Sequence, residues 1–154
     1  MADAEERFRL LFNMAPVPLQ SSDERQRVVE VNDRWLELLG YEHHEVSDQP
    51  VTSFMTDQSA HRYHEMVAPA LLRGEAVRDL ELRFLTKQGE ERKVVFSAGV
   101  QAGEHDGTYQ AIAALHNLHT WRKKEEIERV GARRRKILGG DFLLQQLLNL
   151  TVLH

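Results

Sequence analysis

Apolar and polar positions along the first 120 residues predict helical segments at the start and in the middle of the chain, with strands around them. Phe8, Leu11 and Phe12 fall on one face of a helix over residues 3–14, which begins with acidic residues that the helix dipole favours. The sequence APVP ends that helix, because proline lacks a backbone donor. Two short apolar runs, VPLQ and QRVVEV, predict strands, and the polar SSDERQ overlapping the second predicts the turn between them.

A short capped helix follows the second strand. Asn32 or Asp33 stands where an N-cap is needed, since short polar side chains accept hydrogen bonds from the first free backbone N–H groups. Trp35 and Leu39 belong to its buried stripe, and Gly40 is suited to the left-handed conformation that ends a helix.

A longer helical repeat begins near Asp57 or Ser59, either of which is a candidate cap. Tyr63 and Met66 lie on its predicted inward face. Pro69 is expected to bend or loosen the helix, because it removes a backbone hydrogen bond.

From residue 77 onward the pattern changes to alternation, which is typical of strands with one buried face. DLELRFL, RKVVFSAGV and TYQAIAALHNL predict a three-stranded antiparallel meander with polar turns between the strands. With the two earlier strands, this gives an α+β fold: a five-stranded antiparallel sheet with helices on one face, plus helical extensions at both ends.

Charge divides the chain near residue 120. The 154 residues carry a net charge of −4, yet residues 122–136 hold eight basic and three acidic side chains, so the remainder sums to −9. Residues 119–137 predict a polar exit helix, and the leucine-rich segment after Gly140 predicts another helix. We therefore expect an N-terminal amphipathic helix over residues 1–16, a domain over 17–120, and an exit helix with a leucine-rich tail over 121–154.

Composition excludes several classes of protein. The acidic balance argues against general nucleic-acid binding, and no apolar run approaches the roughly 20 residues of a membrane span. The acidic N-terminus does not resemble a signal peptide, so we expect a cytoplasmic protein. The chain has no cysteine, which removes disulfides and Cys-type metal sites. No catalytic constellation has usable context, so we expect the chain itself not to be an enzyme.

Two stretches closely resemble signatures of the PAS domain family. In VVEVNDRWLELLGYEHHEV an apolar strand ends in Val-Asn and the following helix ends in Leu-Gly-Tyr, as in that family. ELRFLTKQGEERKVVFSAG resembles the family's hairpin, with Lys-Gln-Gly at the turn where Lys-Asp-Gly is usual. The resemblance spans roughly residues 4–120, and the order of predicted elements agrees with it.

The sequence departs from the family pattern at two places. Asn117 stands where an aspartate often begins the Asp-Ile-Thr junction to the exit helix; it can hydrogen-bond but cannot form an ion pair. Val94 lies near the place of a frequent tryptophan in the hairpin's second strand.

The resemblance implies a sensory and dimerisation module of a bacterial-type signalling protein, such as a sensor histidine kinase of a two-component system. A ligand or partner state would alter the exit helix and act on an output domain or partner signalling protein. A ligand pocket would lie between the sheet and the longer helix. Its candidate lining residues are mostly apolar: Phe54, Met66, Leu82, Phe84, Phe96 and Ile112.

The alternative hypothesis is a heme-binding gas or redox sensor. PAS domains of that kind carry a ligating histidine on the longer helix, where this chain has His61 and His64. Other side chains already form the apolar face of the helix, so neither histidine is needed there. We therefore expect no stoichiometric heme and no other metal. A covalent flavin adduct is excluded because it needs a cysteine, whereas non-covalent flavin stays open.

Apolar side chains near both ends of the chain predict self-association. Phe8, Leu11 and Phe12 would expose an apolar patch on a monomer, and the leucines after residue 142 would expose another. We predict a homodimer whose interface includes these three residues, with the C-terminal leucines packed either across the dimer or back on their own sheet.

Overall fold

The computed structural model describes residues 3–119, 122–123, 126–127 and 139–152, so most of the predicted exit helix lies outside the described residues. The N-terminal part contains α1 (Ala4–Met14), β1 (Leu19–Asp23), β2 (Val28–Val31), α2 (Asp33–Leu39) and α3 (His43–Val46). A 3-10 turn (Val51–Phe54), α4 (Asp57–Arg62), a π-helical turn (Tyr63–Val67) and α5 (Ala68–Leu72) follow. The C-terminal part contains β3 (Val77–Leu85), β4 (Glu91–Ala102), β5 (Tyr109–Asn117) and α6 (Gly139–Val152).

The five strands form one antiparallel sheet in the order β2-β1-β5-β4-β3. The predicted fold class is therefore confirmed, including the meander of β3, β4 and β5. The chain returns from β5 to pair with β1, so the first and last strands lie side by side in the middle of the sheet.

The first strand extends into the segment predicted as a turn. Ser21 and Ser22 belong to β1, where they pair with Ile112 and Ala111 of β5. Both serines are buried. The turn prediction was wrong here because backbone pairing with strands on both sides outweighs the turn preference of serine.

Helices cover both faces of the sheet. The inner face packs against α2, the 3-10 turn and the long helical segment from α4 to α5, forming an inner-face cluster that includes Trp35, Phe54, Tyr63, Leu82, Phe84 and Phe96. The terminal helices α1 and α6 pack on the outer face. The outer-face cluster consists of Phe8, Phe12, Ala15, Leu19, Ile112, Ala114, Leu144, Leu147 and Leu148. None of the helices among the described residues combines the length and the apolar character that crossing a bilayer needs.

The long helical segment starts and bends at identifiable residues. Thr56 is its N-cap: the backbone N–H of Ser59 donates to Thr56 Oγ1 at 3.2 Å, so the prediction of Asp57 or Ser59 as the cap was wrong. The π-helical turn immediately precedes α5, which has Pro69 in its first turn. A proline there cannot donate to the preceding turn, which accounts for the predicted loosening.

Candidate functional site

Four of the six predicted pocket residues meet in the inner-face cluster. Phe54, Leu82, Phe84 and Phe96 are each at most 5% exposed. Edge-to-face ring contacts extend the cluster, with Trp35 against Phe54 at 5.3 Å between ring centroids. A second such contact joins Tyr63 and Phe96 at 6.1 Å. These side chains link α2, the 3-10 turn, the π-helical turn and the meander into one packed layer.

The other two predicted pocket residues lie elsewhere. Met66 is 50% exposed, whereas Tyr63 and Val67, four residues apart in the π-helical turn, are buried. A π-helix has more than four residues per turn. Inward-facing positions in it are therefore spaced four residues apart, and Met66, three residues after Tyr63, faces outward. Sequence periodicity that assumed a regular α-helix could not show this.

Ile112 is buried on the opposite side of the sheet, in the outer-face cluster. Its neighbours Ala111 and Ala113 point inward, since side chains alternate along β5. The prediction placed the bulky residue inside, but the structure places the small alanines there and Ile112 beneath the terminal helices.

The candidate heme ligands lie on the outer surface of the long helical segment. His61 and His64 are both exposed. His61 Nε2 lies 2.6 Å from Glu65 Oε1, and the His64 and Tyr63 rings lie nearly perpendicular, with their centroids 6.1 Å apart. The structure therefore does not bring either imidazole into the inner-face cluster. Among the residues that the structure describes, no group of three or more His, Asp or Glu side chains could hold a metal ion.

Asn32 joins α1, β1 and α2. It is fully buried, and its Oδ1 accepts from the backbone N–H of Trp35 at 3.1 Å, which confirms the predicted N-cap. The same oxygen accepts from Leu19 N at 2.9 Å. Its Nδ2 donates to the carbonyl oxygens of Phe12 at 2.9 Å and Val17 at 3.0 Å. The cap of an inner-face helix is thus bonded directly to the end of an outer-face helix.

A second buried polar contact crosses from α2 to β1. Trp35 Nε1 donates to Gln20 Oε1 at 2.9 Å, and both residues are at most 2% exposed. Because β1 also carries Leu19 of the outer-face cluster, this bond connects the inner layer to the strand that supports the outer one.

A third polar group links two tyrosines through one glutamine. Tyr63 Oη donates to Gln26 Oε1 at 2.7 Å, while Gln26 Nε2 donates to Tyr109 Oη. Burial is the main reason why the pKa of each tyrosine lies above its ordinary value. Both phenols are therefore neutral hydrogen-bonding groups over the physiological range.

On the outer face, α6 approaches the sheet closely at a glycine. A Cβ added to Gly99 of β4 would lie 2.6 Å from Leu148 Cδ1. Leu148 can pack this close to the strand because Gly99 has no side chain. Leu144, Leu147 and Leu148 are all at most 5% exposed. A small cleft of about 50 Å³ lies beside this contact, bordered by Val77, Ser97 and Gln145 among others.

Sequence reasoning missed the last three of these features for different reasons. The glycine within the apolar strand pattern was a usable signal, because such a glycine often marks close backbone approach. Gln20 and Gln26 gave no signal, since polar residues beside a predicted turn are expected at the surface.

Comparisons with known proteins agree with this fold. A family model described as a PAS domain matches residues 6–120. No curated protein matches the chain. Similar solved structures include a Rhodobacter sphaeroides LOV protein, which is 20% identical with a TM-score of 0.65 and covers 97% of this chain and 94% of its own.

Two further solved structures match over a shorter part of the chain. A PAS domain from Colwellia psychrerythraea is 18% identical, with a TM-score of 0.65, and the match covers 75% of this chain and 97% of that one. A domain of a sensory box sensor histidine kinase/response regulator from Geobacter sulfurreducens is 21% identical, with a TM-score of 0.58, covering 71% and 91%. At these identities the likeness supports the fold, and the family match over most of the chain shows that it belongs to the PAS domain family.

Proposed function

We propose that this PAS domain is a sensory module in which the state of the inner-face cluster is passed to the terminal helices on the outer face. It would act in the cytoplasm as part of, or as a partner to, a signalling protein such as a sensor histidine kinase. The observation that carries the proposal is the bonding of Asn32, which caps α2 and also holds the last turn of α1.

The first step of the coupling runs from the cluster to α2. Trp35 packs its ring against Phe54 inside the cluster and donates to Gln20 of β1. A ligand that displaced Trp35 would therefore strain the bond to β1 and move the helix start that Asn32 caps.

The second step runs through Asn32 to the outer face. A shift of the Asn32 side-chain amide would lengthen its hydrogen bonds to two backbone carbonyl oxygens. One belongs to Phe12 at the end of α1, and the other belongs to Val17 just after it. Phe12 belongs to the outer-face cluster together with the leucines of α6. The position of α6 would thus depend on the inner layer, as a population shift between two arrangements whose size is limited by the ligand's preference for one of them.

A distance measurement between α6 and the sheet tests this coupling. Because the chain has no cysteine, Gln88→Cys and Gln145→Cys introduce unique attachment sites for spin labels on exposed side chains. Trp35→Phe then removes the donor to Gln20 while keeping an aromatic ring. We expect a second population of label-to-label distances in the Trp35→Phe protein.

Glu37→Gln is the matched control, since Glu37 lies on the same helix but is exposed and pairs with Arg34 at the surface. It should leave the distance distribution unchanged. If Trp35→Phe retains a native circular dichroism spectrum and its distances equal those of the control, the proposed coupling is wrong.

A further inference from the structure

Gln26 occupies a backbone conformation that its residue type does not favour. Its φ is +63°, and the other non-glycine residues with positive φ among those described are Asp48 and Asp79. Aspartate tolerates the left-handed region because its short side chain can bond locally, whereas glutamine has no such advantage and the conformation costs about 1 kcal/mol or more. Backbone hydrogen bonds of the turn hold Gln26 in this conformation.

The turn around Gln26 is well anchored without its side chain. Gln26 N donates to Asp23 O at 2.9 Å, and Gln26 O accepts from Val51 N at 2.9 Å. Asp23 Oδ1 also accepts from the backbone N–H groups of Arg25 and Arg27, at 2.9 and 3.1 Å. The side chain can consequently rotate about its own bonds while the turn stays in place.

The carboxamide of Gln26 lies between two phenol hydroxyls from different elements. Tyr63 comes from the π-helical turn and is 1% exposed, whereas Tyr109 comes from β5 and is 8% exposed. The amide oxygen accepts from one hydroxyl and the amide nitrogen donates to the other. π-helical turns occur frequently at functional sites, and this one begins at the tyrosine in question.

Gln26 itself is only half-buried, so it reaches this place from the solvent side. Rotation of its side chain outward would leave a space the size of a carboxamide, with one hydroxyl to donate and one to accept. That arrangement matches a planar, uncharged group carrying a carbonyl oxygen and an N–H side by side.

We propose that Tyr63 and Tyr109 form a binding site for the amide edge of a small molecule, a primary carboxamide or a lactam, and that Gln26 occupies it as an internal ligand in this structure. The bound ligand replaces the Gln26 side-chain amide, which rotates into the solvent. The rest of the ligand lies towards the β1–β2 turn. Because the Gln26 amide occupies the site for part of the time, the apparent affinity for the ligand equals the intrinsic affinity multiplied by the fraction of time that the site is free.

Binding at this site would be the input of the proposed sensory function, and this role of the site rests on that proposed function. Its test measures binding alone, so it can fail or succeed independently of the α6 distance measurement.

Acetamide is the probe, because it equals the part of the glutamine side chain that Gln26→Ala removes. Tyrosine labelled with carbon-13 at Cζ gives one signal from each of the three tyrosines, assigned by single replacements with phenylalanine. Tyr41, whose hydroxyl donates to Leu85 O at 3.4 Å, serves as the internal reference. In the Gln26→Ala protein we expect acetamide to shift the Tyr63 and Tyr109 signals saturably and to leave Tyr41 unchanged.

Acetone is the matched control ligand, since it keeps the carbonyl and the size of acetamide but has no N–H. It should bind at least about tenfold more weakly, because the Tyr109 oxygen would be left without a donor. The unsubstituted protein should also bind acetamide about tenfold more weakly than Gln26→Ala, since its own amide competes.

Gln26→Gly provides a second variant, because glycine suits the positive φ and preserves the turn if alanine does not. Absence of a saturable shift at both tyrosines in the folded variants, or equal binding of acetone and acetamide, would overturn the proposal.

Discussion

At the scale of single residues, Asn32 shows how one side chain can serve both a local and a long-range purpose. Its oxygen accepts two backbone bonds and its nitrogen donates two, so a buried amide has its hydrogen-bonding capacity used on both sides. Two of these bonds reach Phe12 and Val17, which lie in different segments from the helix that Asn32 caps. Loss of the amide therefore affects more than the helix start.

Asn32→Ala is expected to destabilise the protein by more than the roughly 1 kcal/mol of a lost N-cap. It leaves the Leu19 N–H and the carbonyl oxygens of Phe12 and Val17 without the amide, which raises the expected cost to several kcal/mol. Urea unfolding at equilibrium measures it. Asp33→Ala is the control, because Asp33 is exposed in the first turn of the same helix and should change the free energy of unfolding by less than about 0.5 kcal/mol. Equal effects of the two substitutions would contradict this account.

Tyr63 gives the protein a specific weakness towards alkali. Burial raises the pKa of its phenol above the ordinary value of 10.0, so the folded protein keeps a proton that the unfolded chain loses above that pH. The unfolded state then binds fewer protons, and stability falls as pH rises past about 10, by up to about 1.4 kcal/mol per pH unit for this one group.

Tyr63→Phe should remove that slope while adding a constant cost at all pH values from the lost bond to Gln26. The measurement is the free energy of unfolding in urea between pH 8 and 11. The two proteins should converge as pH rises above 10, and parallel curves would show that Tyr63 does not titrate in this way.

The cap at Asn32 could be predicted from sequence because it depends on residues three positions apart. The bonds to Phe12, Val17 and Leu19 could not, because they need the strand and the first helix to be placed first. The same reasoning applies to Gln26, whose partners lie 37 and 83 residues along the chain.

At the scale of elements, alternation and helical period predicted the strands and most helices, since each element has a polar and an apolar side. They failed where an element is apolar on both sides or irregular. β5 has buried residues on both faces, so the choice of inward positions there could not be read from hydrophobicity and Ile112 was misplaced. The π-helical turn changed the spacing within the long helix, and Met66 was misplaced for that reason.

The contact between β4 and α6 predicts a substitution whose effect changes sign. Gly99 has no positive φ, so alanine there would ordinarily stabilise the protein by about 0.4–1 kcal/mol by restricting the unfolded chain. In the native chain its Cβ would meet Leu148 Cδ1 at 2.6 Å, and we expect overpacking to make Gly99→Ala destabilising, by about 1–3 kcal/mol.

In a Leu148→Ala background the same Gly99→Ala change should be neutral or stabilising, because the opposing methyl group is gone. Urea midpoints of the four proteins form a double-mutant cycle. Additive effects would mean that Leu148 does not sit against Gly99.

At the scale of the whole molecule, the two apolar patches predicted from the ends of the chain meet each other. Phe8 and Phe12 are at most 7% exposed and pack with Leu144, Leu147 and Leu148 within one chain. The premise that a monomer leaves both patches exposed was therefore wrong, whereas packing of the C-terminal leucines back on their own sheet is what the structure shows. Leu11 is half-buried beside this cluster, and Leu10 and Met14 are 58% and 69% exposed.

The homodimer stays a prediction, with α1 as its expected contact. Leu10→Glu places a charge on the exposed side of α1 and should shift association towards monomer without loss of fold, because Leu10 is outside the outer-face cluster. Sedimentation equilibrium at micromolar concentration measures this. Arg9→Glu, a charge change at an exposed neighbour on α1, is the control. A monodisperse monomer in the unsubstituted protein would exclude the dimer.

The outer-face cluster also has a consequence for the order in which the molecule folds. It joins Phe8 and Phe12 to leucines more than 130 positions later, so its formation must close almost the whole chain into one loop. The hairpin of β3 and β4 closes over a few residues and gains contacts at little entropic cost. We therefore expect the meander to form the folding nucleus, and the two ends of the chain to dock last and open first, before the sheet between them is lost.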